Sequence, residues 1–456
     1  MNIRPNVIFI LADDMGYGDF SAFNKNGPNT SALDRLIREG VTLSSCYSAS
    51  PVCAPARAAI LTGRYPQRCG VIDTLEARGL DRLKTSETTM ADIFKQNRYQ
   101  TALIGKWHLG AIDPEYHPNR RGFDHFFGFR GGWNDYYRYN VECNGQKIEP
   151  NGRYLTDLFS DEAVRYVNEH ADAPFFLNLH YNAPHFPLQA PERAVEKYRR
   201  MEKFSPAVCK LYAMIEIMDQ GIGRLLDALD ARGIAQNTIV VFASDNGPDM
   251  GGVGDDCQRR YNCDLRGEKM LVYEGGIKVP AVVRWQGRLQ GGNMCDEVVH
   301  GTDWTPTLLS LCGIEIPATL KIDGMDVTAA LHGEKLGARE LYWQWNRYVP
   351  EFKCNAAMRS GDMKLVHTPN NAYLDLPSWE VDMDVEIKYH AERYCKIRNR
   401  AIPELPELEQ PVPHLFDLAK DPCEQVDIAK EHEDITGRME GALRAWFEEV
   451  ERERLS

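Results

Sequence analysis

A cysteine, a proline and an arginine at alternating positions form the segment of this sequence that is best suited to chemistry. Cys53, Pro55 and Arg57 lie in Ser50-Pro-Val-Cys-Ala-Pro-Ala-Arg-Ala-Ala-Ile-Leu-Thr-Gly-Arg64. Proline suits the first turn of a helix and the residues after it favour helix, so we expect Cys53 at or just before a helix N-terminus. That position offers unpaired N–H groups and positive dipole charge to an anion.

Two interpretations of Cys53 are open from these residues alone. A free cysteine is most often a buried thiol of the core. A helix end can instead activate a thiolate as a nucleophile. Arg57 lies one helical turn later on the same face and needs an anionic partner if it is buried, which favours a functional site.

Ionisable or metal-binding groups follow four apolar runs that we predict to be buried strands. Val7–Leu11 leads to Asp13 and Asp14, Thr101–Ile104 to Lys106 and His108, Phe175–Leu179 to His180 and His185, and Ile239–Phe242 to Asp245 and Asn246. In open α/β sheets the ligand crevice lies outside the carboxyl ends of the strands, so we expect these groups to converge in space.

Four of these groups offer only oxygen atoms as metal ligands: Asp13, Asp14, Asp245 and Asn246. A hard divalent cation needs such ligands, whereas zinc does not select them. Several carboxylates with an amide oxygen make a dedicated cage, which favours Ca²⁺ over Mg²⁺. The alternative is that each acidic pair caps the following helix. Two acidic strand ends together with a helix-end nucleophile favour the metal site.

Two lysines and two histidines supply the remaining charge: Lys106, His108, His185 and Lys269. A single histidine or lysine on a loop is often solvated or structural. Here they lie in the segments Gly-Lys-Trp-His-Leu-Gly at 105–110, Ala-Pro-His-Phe-Pro at 183–187 and Leu-Arg-Gly-Glu-Lys-Met at 265–270. His180 is the less expected partner because it falls within a strand.

The Cys-x-Pro-x-Arg pattern, with Thr62-Gly63-Arg64 downstream, resembles the signature of the type I sulfatases, which are the formylglycine-dependent members of the alkaline phosphatase superfamily. The resemblance covers nearly the whole chain and includes residues 6–18, 105–110, 183–187, 244–247, 265–279 and 414–422. Ala56 follows Pro55 where many family members have serine.

The resemblance implies that Cys53 is oxidised to 3-oxoalanine, or formylglycine, by a formylglycine-generating enzyme or an anaerobic maturase. It implies a Ca²⁺ ion bound by Asp13, Asp14, Asp245, Asn246 and an oxygen of the modified Cys53. The hydrated aldehyde would then attack the sulfur of a sulfate monoester. The catalytic residues implied are Cys53, Arg57, Lys106, His108, His185 and Lys269.

The resemblance also implies how these side chains share the reaction. Arg57 and Lys106 hold the nucleophile and the sulfate oxygens. His185, with Lys269, protonates the departing alcohol, and His108 removes a proton from the second hydroxyl so that sulfate is expelled.

The segment from Gly128 to Tyr139 is rich in aromatic residues and arginine. Such side chains stack on sugar rings and pair with anions, so Trp133, Asp135 and Arg138 are candidate substrate-binding residues. The same segment could be a packed surface loop. We expect sulfated mono- or oligosaccharides as substrates, and expect Trp343, Trp345 and Tyr348 to approach the same cleft.

Two other functions are compatible with this set of residues. A phosphate or phosphonate monoester hydrolase of the same superfamily shares the metal platform and the nucleophile position. Phosphatases of this fold usually need a second metal with further Asp and His ligands, which favours sulfate as the substrate. A catalytically inactive glycan-binding relative would lack a ligand or an acid, and we identify no such loss.

Apolar runs alternate with amphipathic stretches up to about residue 315, which predicts an α/β fold with a large, mostly parallel sheet flanked by helices. Predicted helices include Ser31–Glu39, with Ser31 as N-cap, and Ala207–Arg232, closed by Gly233. From about residue 335 the pattern predicts a smaller C-terminal antiparallel sheet with a helix over 435–451. We therefore predict a catalytic domain at 1–335 and an α+β subdomain at 336–456.

The composition excludes some classes of function. The 456 residues include 53 Lys and Arg against 66 Asp and Glu, and this net charge of −13 disfavours nucleic acid as a partner. The apolar run Val7–Ala12 is too short to span a membrane. The sequence as written predicts a cytoplasmic protein, or a periplasmic or secreted one if a signal peptide was removed. In an oxidising compartment Cys257 and Cys263 are the expected disulfide pair.

Overall fold

The fold is described from a computed structural model, over residues 4–390, 393–394, 401–408 and 412–456. The helices are α1 (Ser31–Glu39), α2 (Cys53–Thr62), α3 (Met90–Gln96), α4 (Leu155–His170), α5 (Glu192–Arg199), α6 (Pro206–Ala231), α7 (Glu274–Ile277), α8 (Trp304–Leu311), α9 (Thr328–Leu331), α10 (Ser378–Tyr389) and α11 (Glu433–Leu455). The strands are β1 (Asn6–Ala12), β2 (Val41–Leu43), β3 (Cys46–Tyr47), β4 (Gln100–Lys106), β5 (His125–Phe129), β6 (Val141–Cys143), β7 (Gln146–Ile148), β8 (Phe175–His180), β9 (Thr238–Ser244), β10 (Ala281–Arg284), β11 (Asn293–Cys295), β12 (Val299–His300), β13 (Glu340–Gln344), β14 (Ala356–Ser360), β15 (Met363–His367) and β16 (His414–Asp417).

A large mixed sheet forms the centre of the molecule. Its strand order is β11-β2-β10-β9-β1-β8-β4-β5-β6-β7. The five central strands β9, β1, β8, β4 and β5 are parallel to one another, and β10 and β6 add antiparallel partners on either side. The predicted α/β class with a large, mostly parallel sheet is therefore confirmed.

Both faces of the sheet are covered, which explains why the central strands read as continuous apolar runs. Along β1, Ile8 and Ile10 face the side that carries α4 and α6, and Val7, Phe9 and Leu11 face the side that carries α2, α3 and α8. Alternate side chains of a strand point to opposite faces, so one heptapeptide contributes to two cores. This arrangement fixes β1, and with it the residues that follow β1, in the middle of the molecule.

The second sheet lies in the C-terminal part of the chain. Strands β13, β14, β15 and β16 pair antiparallel in that order, and α11 packs on them. The predicted smaller antiparallel sheet with a helix is confirmed, with the helix running from Glu433 to Leu455 rather than over 435–451. The domain boundary near residue 335 stays a prediction; the second sheet begins at Glu340.

The predicted N-cap of α1 is wrong by one residue. Thr30 occupies the cap position and Ser31 is the first helical residue. The Thr30 hydroxyl is held by Ser21, and the carboxylate of Asp219 instead accepts the N–H groups of Ala32 and Leu33. The free N–H groups at the start of α1 are thus paired by a carboxylate that is distant in sequence. Local sequence patterns do not reveal such a contact.

The predicted disulfide is not present. Cys257 and Cys263 are both free thiols. The carbonyl oxygen of Cys257 accepts the Ser205 hydroxyl at the start of α6, while Cys263 lies beside Tyr261. The backbone of Cys257 is thus held at the start of α6, while the thiol of Cys263 interacts with Tyr261. Among the helices of the described residues, none combines the length and apolar character needed to cross a membrane.

Gly105 permits the close approach of strands beneath the site residues. Its φ is +110°, and a Cβ there would lie 1.9 Å from the carbonyl oxygen of His180. We predict that Gly105→Ala lowers the free energy of unfolding by about 3–5 kcal/mol, because backbone strain and overpacking add. Gly233→Ala is the control, since its φ is +67° and no atom lies within 4 Å of its Cβ position. Equal shifts of the two denaturation midpoints would contradict the steric explanation.

Candidate active site

Two pairs of acidic and amide side chains meet at the carboxyl edge of the central strands. Asp13 and Asp14 follow β1, and Asp245 and Asn246 follow the neighbouring parallel strand β9, in which Ser244 pairs with Ala12. The N–H of Asp14 donates to Asp245 Oδ1 over 3.3 Å, and Asn246 Nδ2 donates to Asp14 Oδ1 over 2.7 Å. Residues 231 positions apart in sequence are therefore adjacent in the fold.

This group of side chains fits a hard divalent cation. Asp13 Oδ1 and Asn246 Oδ1 are buried and have no hydrogen-bond partner within the described part of the chain. Asp13, Asp245 and Cys53 each offer a ligand atom, and these atoms lie within 4.8 Å of one another. Buried acceptors without partners are costly, and a bound cation would satisfy them. The oxygen-rich donor set matches Ca²⁺ or Mg²⁺ better than zinc.

The cysteine of the reactive segment lies against this group. Cys53 is the first residue of α2, after the extended N-cap Val52, so the predicted helix start is confirmed. Arg57, on the next turn, is fully buried and donates from Nε and Nη2 to Asp245 Oδ2 over 3.0 and 2.7 Å. Burial alone would lower the pKa of Arg57, but Asp245 and Asp13 raise it. A permanent positive charge thus lies beside the cysteine.

Each of the two N-terminal aspartates has a lysine partner. Lys106, the last residue of β4, donates to Asp13 Oδ2 over 2.6 Å, and Lys269 donates to Asp14 Oδ2 over 2.7 Å. Burial opposes ionisation of Asp14, yet Lys269 and then His185 hold its pKa below the usual value. Burial and then the Asp245 carboxylate raise the pKa of Asp13.

Both predicted histidines are buried among the charged groups of the site. His185 Nε2 lies 3.8 Å from Asp14 Oδ2, and its Nδ1 lies 2.8 Å from the carbonyl oxygen of Phe186. Burial, then Lys269, lowers the pKa of His185. Burial, then Lys106, lowers the pKa of His108. The arrangement therefore places fixed cations and carboxylates around the cysteine, and the two imidazoles lie beside members of this charged group.

Comparison with known proteins identifies the family. The family model described as sulfatase matches residues 5–314. The chain belongs to the sulfatase family. A second model, described as N-sulphoglucosamine sulphohydrolase, C-terminal, matches residues 267–410 of this sulfatase. The resemblance inferred from the cysteine motif is confirmed, and the protein is a sulfuric ester hydrolase.

Relatives of the sulfatase span most of its length. The uncharacterized sulfatase YdeN of Escherichia coli is 32% identical over 393 residues, which cover 75% of this chain and 68% of YdeN. The N-acetylgalactosamine-6-sulfatase of Mus musculus is 32% identical over 376 residues, covering 75% of this chain and 69% of the mouse protein. The crystal structure of Ps i-CgsB in complex with k-i-k-neocarrahexaose matches with a TM-score of 0.81 and 28% identity, covering 97% of this chain and 92% of that one.

Two residues near the reactive centre of the sulfatase were not selected from the sequence. His180 Nδ1 lies 3.4 Å from Arg57 Nη1, and the strand register, which pairs His180 with Leu11 and Gly105, gave a signal that it ends at the same edge. Glu76 lies 3.9 Å from His108 and comes from a short turn that no motif marks. The sequence marks the first, because His180 comes at the end of an apolar run, whereas the second needs the tertiary structure.

The predicted substrate-binding residues lie in one loop beside His185. The Trp133 indole donates to Asp384 of α10 over 2.8 Å, and its ring contacts Phe186 and Tyr389. The buried Asp135 carboxylate accepts backbone N–H groups of its own loop, whereas the side chain of Arg138 is 80% exposed. Asp135 thus holds the conformation of the loop. The side chains of Trp133 and Arg138 lie beside α10.

The three aromatic residues expected to approach the cleft are buried instead. The Trp343 indole donates over 2.7 Å to the carbonyl oxygen of Ser48, just ahead of the cysteine segment. Trp345 packs on Val52, and the Tyr348 hydroxyl donates to Glu380 over 3.2 Å. Trp343 and Trp345 thus contact the segment that leads to the cysteine, and Tyr348 contacts α10 through Glu380.

Proposed function

We propose that this sulfatase hydrolyses sulfate monoesters of carbohydrates through a formylglycine hydrate at position 53 and a bound Ca²⁺ ion. The observation that carries the proposal is the position of Cys53, at a helix N-terminus and within ligand distance of Asp13 and Asp245. Arg57 and Lys106 supply positive charge on either side. A sulfate ester, whose negative charge is spread over three oxygens, requires this combination of cations around a nucleophile.

The chemistry of the donor set supports modification of Cys53. Its sulfur is the one soft ligand in a group that is otherwise built from oxygen. Oxidation to the aldehyde and hydration would place two hydroxyl oxygens there, and oxygen is what a hard cation selects. A formylglycine-generating enzyme or an anaerobic maturase is the partner that this modification requires.

The residues that would hold Ca²⁺ are Asp13, Asp14, Asp245, Asn246 and an oxygen of the modified residue 53. When bound, the cation would offset the mutual repulsion of the carboxylates and of the anionic substrate.

In the first half of the proposed reaction, one hydroxyl of the hydrate attacks sulfur and its proton passes to the Asp245 carboxylate. The bond from sulfur to the alcohol oxygen breaks, and His185, which enters this step as an imidazolium supported by Lys269, gives that oxygen a proton and becomes neutral. Arg57 and Lys106 keep the sulfate oxygens in place. Residue 53 then carries the sulfate as an ester.

In the second half, His108 takes the proton of the remaining hydroxyl of residue 53. The C–O bond to sulfate breaks, the aldehyde is restored, and inorganic sulfate leaves. A plain serine or cysteine lacks this second hydroxyl and has no internal route for elimination. Water then hydrates the aldehyde for the next cycle.

Sulfated carbohydrates are the proposed substrate class, as mono- or oligosaccharides. The relatives named for N-acetylgalactosamine 6-sulfate and solved with a carrageenan-type hexaose act on or bind sugars. Trp133 and Arg138 are proposed to contact the sugar, by stacking and by charge, with Asp135 holding their loop. The deciding experiment is sulfate release from a panel of defined sulfated saccharides, with enzyme of known aldehyde content. Release that does not scale with aldehyde content would refute the mechanism.

A phosphate or phosphonate monoester hydrolase is the second candidate. Asp13, Asp14 and His185 form a further group with ligand atoms within 4.8 Å, as a second metal would need. Lys106 and Lys269, however, already lie against these two aspartates, which disfavours a second cation. Hydrolysis of nitrophenyl phosphate faster than nitrophenyl sulfate, with two metals per chain, would favour this candidate. Tight glycan binding without release of either anion would favour an inactive binding protein.

We predict that His185→Ala lowers kcat/KM for a sugar sulfate by about 10²–10⁴-fold, because an alkoxide leaving group needs a proton. The loss for nitrophenyl sulfate is expected to be far smaller, since a nitrophenolate leaves without one. His125→Ala is the control, because His125 pairs with Glu162 over 2.8 Å outside the site. Equal losses on the two substrates would refute His185 as the proton donor.

A further inference from the structure

The carboxylate of Glu76 connects three parts of the molecule at one buried point. It is 1% exposed and accepts hydrogen bonds from the N–H of Gly132 and from Lys388 Nζ. Its Oε1 lies 3.9 Å from His108 Nε2. Gly132 belongs to the loop proposed to contact the sugar, and Lys388 belongs to α10. Glu76 is therefore well placed to influence His108.

The surroundings of His108 indicate which of its two ring nitrogens carries the hydrogen. Nε2 faces two acceptors, the carbonyl oxygen of Thr74 at 3.4 Å and Glu76 Oε1. A carbonyl oxygen can only accept, so Nε2 must carry the hydrogen. Nδ1 is buried and has no hydrogen-bond partner among the described residues. The free lone pair of the ring is thus on Nδ1.

A pair of glycines allows this close arrangement. A Cβ at Gly132 would lie 2.6 Å from His108 Nε2 and 3.2 Å from Glu76 Oε1. A Cβ at Gly131 would lie 3.0 Å from the same Oε1. Any side chain at position 132 would push the imidazole ring and the carboxylate apart. The sequence Gly131-Gly132 therefore serves the contact between Glu76 and His108.

The other charges around His108 oppose its protonation. Lys106, Lys388 and Arg57 all act on the ring with positive charge, and Glu76 is the carboxylate that acts against them. Asp81 lies farther along the same cluster, where burial and then Glu76 raise its pKa to about 7. A proton taken up by His108 therefore depends on Glu76 for its compensating negative charge.

We propose that Glu76 is a positioning residue for His108, fixing the Nε2–H tautomer and stabilising the imidazolium that forms when Nδ1 takes a proton. The inference rests on the proposed function for the identity of that proton, which comes from the second hydroxyl of residue 53. As Nδ1 gains it, the Nε2–H group stays on the Thr74 carbonyl oxygen, with Glu76 Oε1 at 3.9 Å. The C–O bond to sulfate then breaks.

The test compares Glu76→Gln with Glu380→Gln. Glutamine at position 76 keeps the shape but can donate to Nε2 and allow the wrong tautomer. Glu380 is a matched control, since it is also buried and anchors α10 through Arg78 over 2.6 Å, and it pairs with Arg78 and Tyr348 rather than with His108. Loss of α10 docking alone would affect both variants alike.

For Glu76→Gln we expect the first turnover to release alcohol as in the wild type, while steady-state kcat falls by about 10²–10⁴-fold. The mass spectrum should show sulfate retained on residue 53. For Glu380→Gln we expect the rate of the first turnover and the steady-state kcat to stay within about threefold of the wild type. Loss of acid–base catalysis would lower kcat by a much larger factor. An unchanged kcat for Glu76→Gln, or equal losses in the two variants, would overturn the proposal.

A measurement by NMR tests the role of Glu76 without turnover or substrate, and a further variant tests the geometry. In protein with ¹⁵N-labelled histidine, His108 is expected to show a protonated Nε2, and this signal should change in Glu76→Gln; a protonated Nδ1 in the wild type would refute the proposal. Gly132→Ala should displace the ring and reproduce the kinetic defect. A wild type that releases no sulfate would refute the proposed function, while the NMR result would still decide the role of Glu76.

Discussion

Replacing Cys53 by alanine is expected to lower kcat at least about 10⁴-fold and to leave the fold intact. The loss should be this large because removal of a covalent nucleophile leaves only the binding groups of the site. Alanine continues α2 without strain, so we expect the free energy of unfolding to change by about 1 kcal/mol or less. Sulfate release measures the loss of activity. Circular dichroism measures whether the fold is intact, and thermal unfolding measures its stability.

The control for this substitution is Cys69→Ala. Cys69 is as buried as Cys53 and its thiol contacts the Thr62 hydroxyl at the other end of α2, away from the metal-binding group. It should retain activity. Mass spectrometry of the peptide that carries position 53 should show an aldehyde in place of the thiol in active protein. Full activity with an unmodified thiol would refute the formylglycine mechanism.

Replacing Asp245 by asparagine is expected to abolish the stabilisation by Ca²⁺ and to lower kcat/KM by more than about 10²-fold. Loss of an outer partner of a metal ligand already costs 10–100-fold, so loss of a ligand should exceed this. The change also removes the charge that pairs with the buried Arg57, at about 3–5 kcal/mol. Thermal unfolding after chelation, with Ca²⁺ then added back, measures the linkage between metal and fold.

Asp303→Asn separates these two effects of the Asp245 substitution. Asp303 is also fully buried and accepts two hydrogen bonds from Arg339, over 2.6 and 2.9 Å, but it lies outside the metal-binding group. It should lose stability without losing the response to Ca²⁺. If Asp245→Asn still gains stability from Ca²⁺ as the wild type does, the proposed metal site is wrong.

The edge at which the site forms could be predicted from the sequence because strand ends carry its members. The apolar runs ahead of Asp13 and Asp245 mark buried parallel strands, and parallel neighbours bring their carboxyl ends together. Pro55 and the alanines after it likewise place Cys53 at a helix start. These signals are local in sequence. The fold class then predicts that the residues they mark lie close together in space.

Other contacts depend on pairs of elements that no local pattern connects. Glu76 meets Lys388 across 312 positions, and Asp219 satisfies the start of α1 across 187. The disulfide expected between Cys257 and Cys263 in an oxidising compartment is not formed in the structure, since spacing along a loop does not fix where the thiols point. Side chains that bridge distant elements become visible only once the packing is known.

The burial of α2 bears on when in the life of the molecule its cysteine can be altered. Every residue from Cys53 to Thr62 is buried, and Cys53 itself is 3% exposed. A modifying enzyme that binds an extended segment around the thiol cannot reach this segment once α2 is packed against the sheet. If Cys53 is oxidised as proposed, we therefore expect the oxidation during synthesis, before the chain has folded, and we expect a chain that folds first to keep an unmodified thiol.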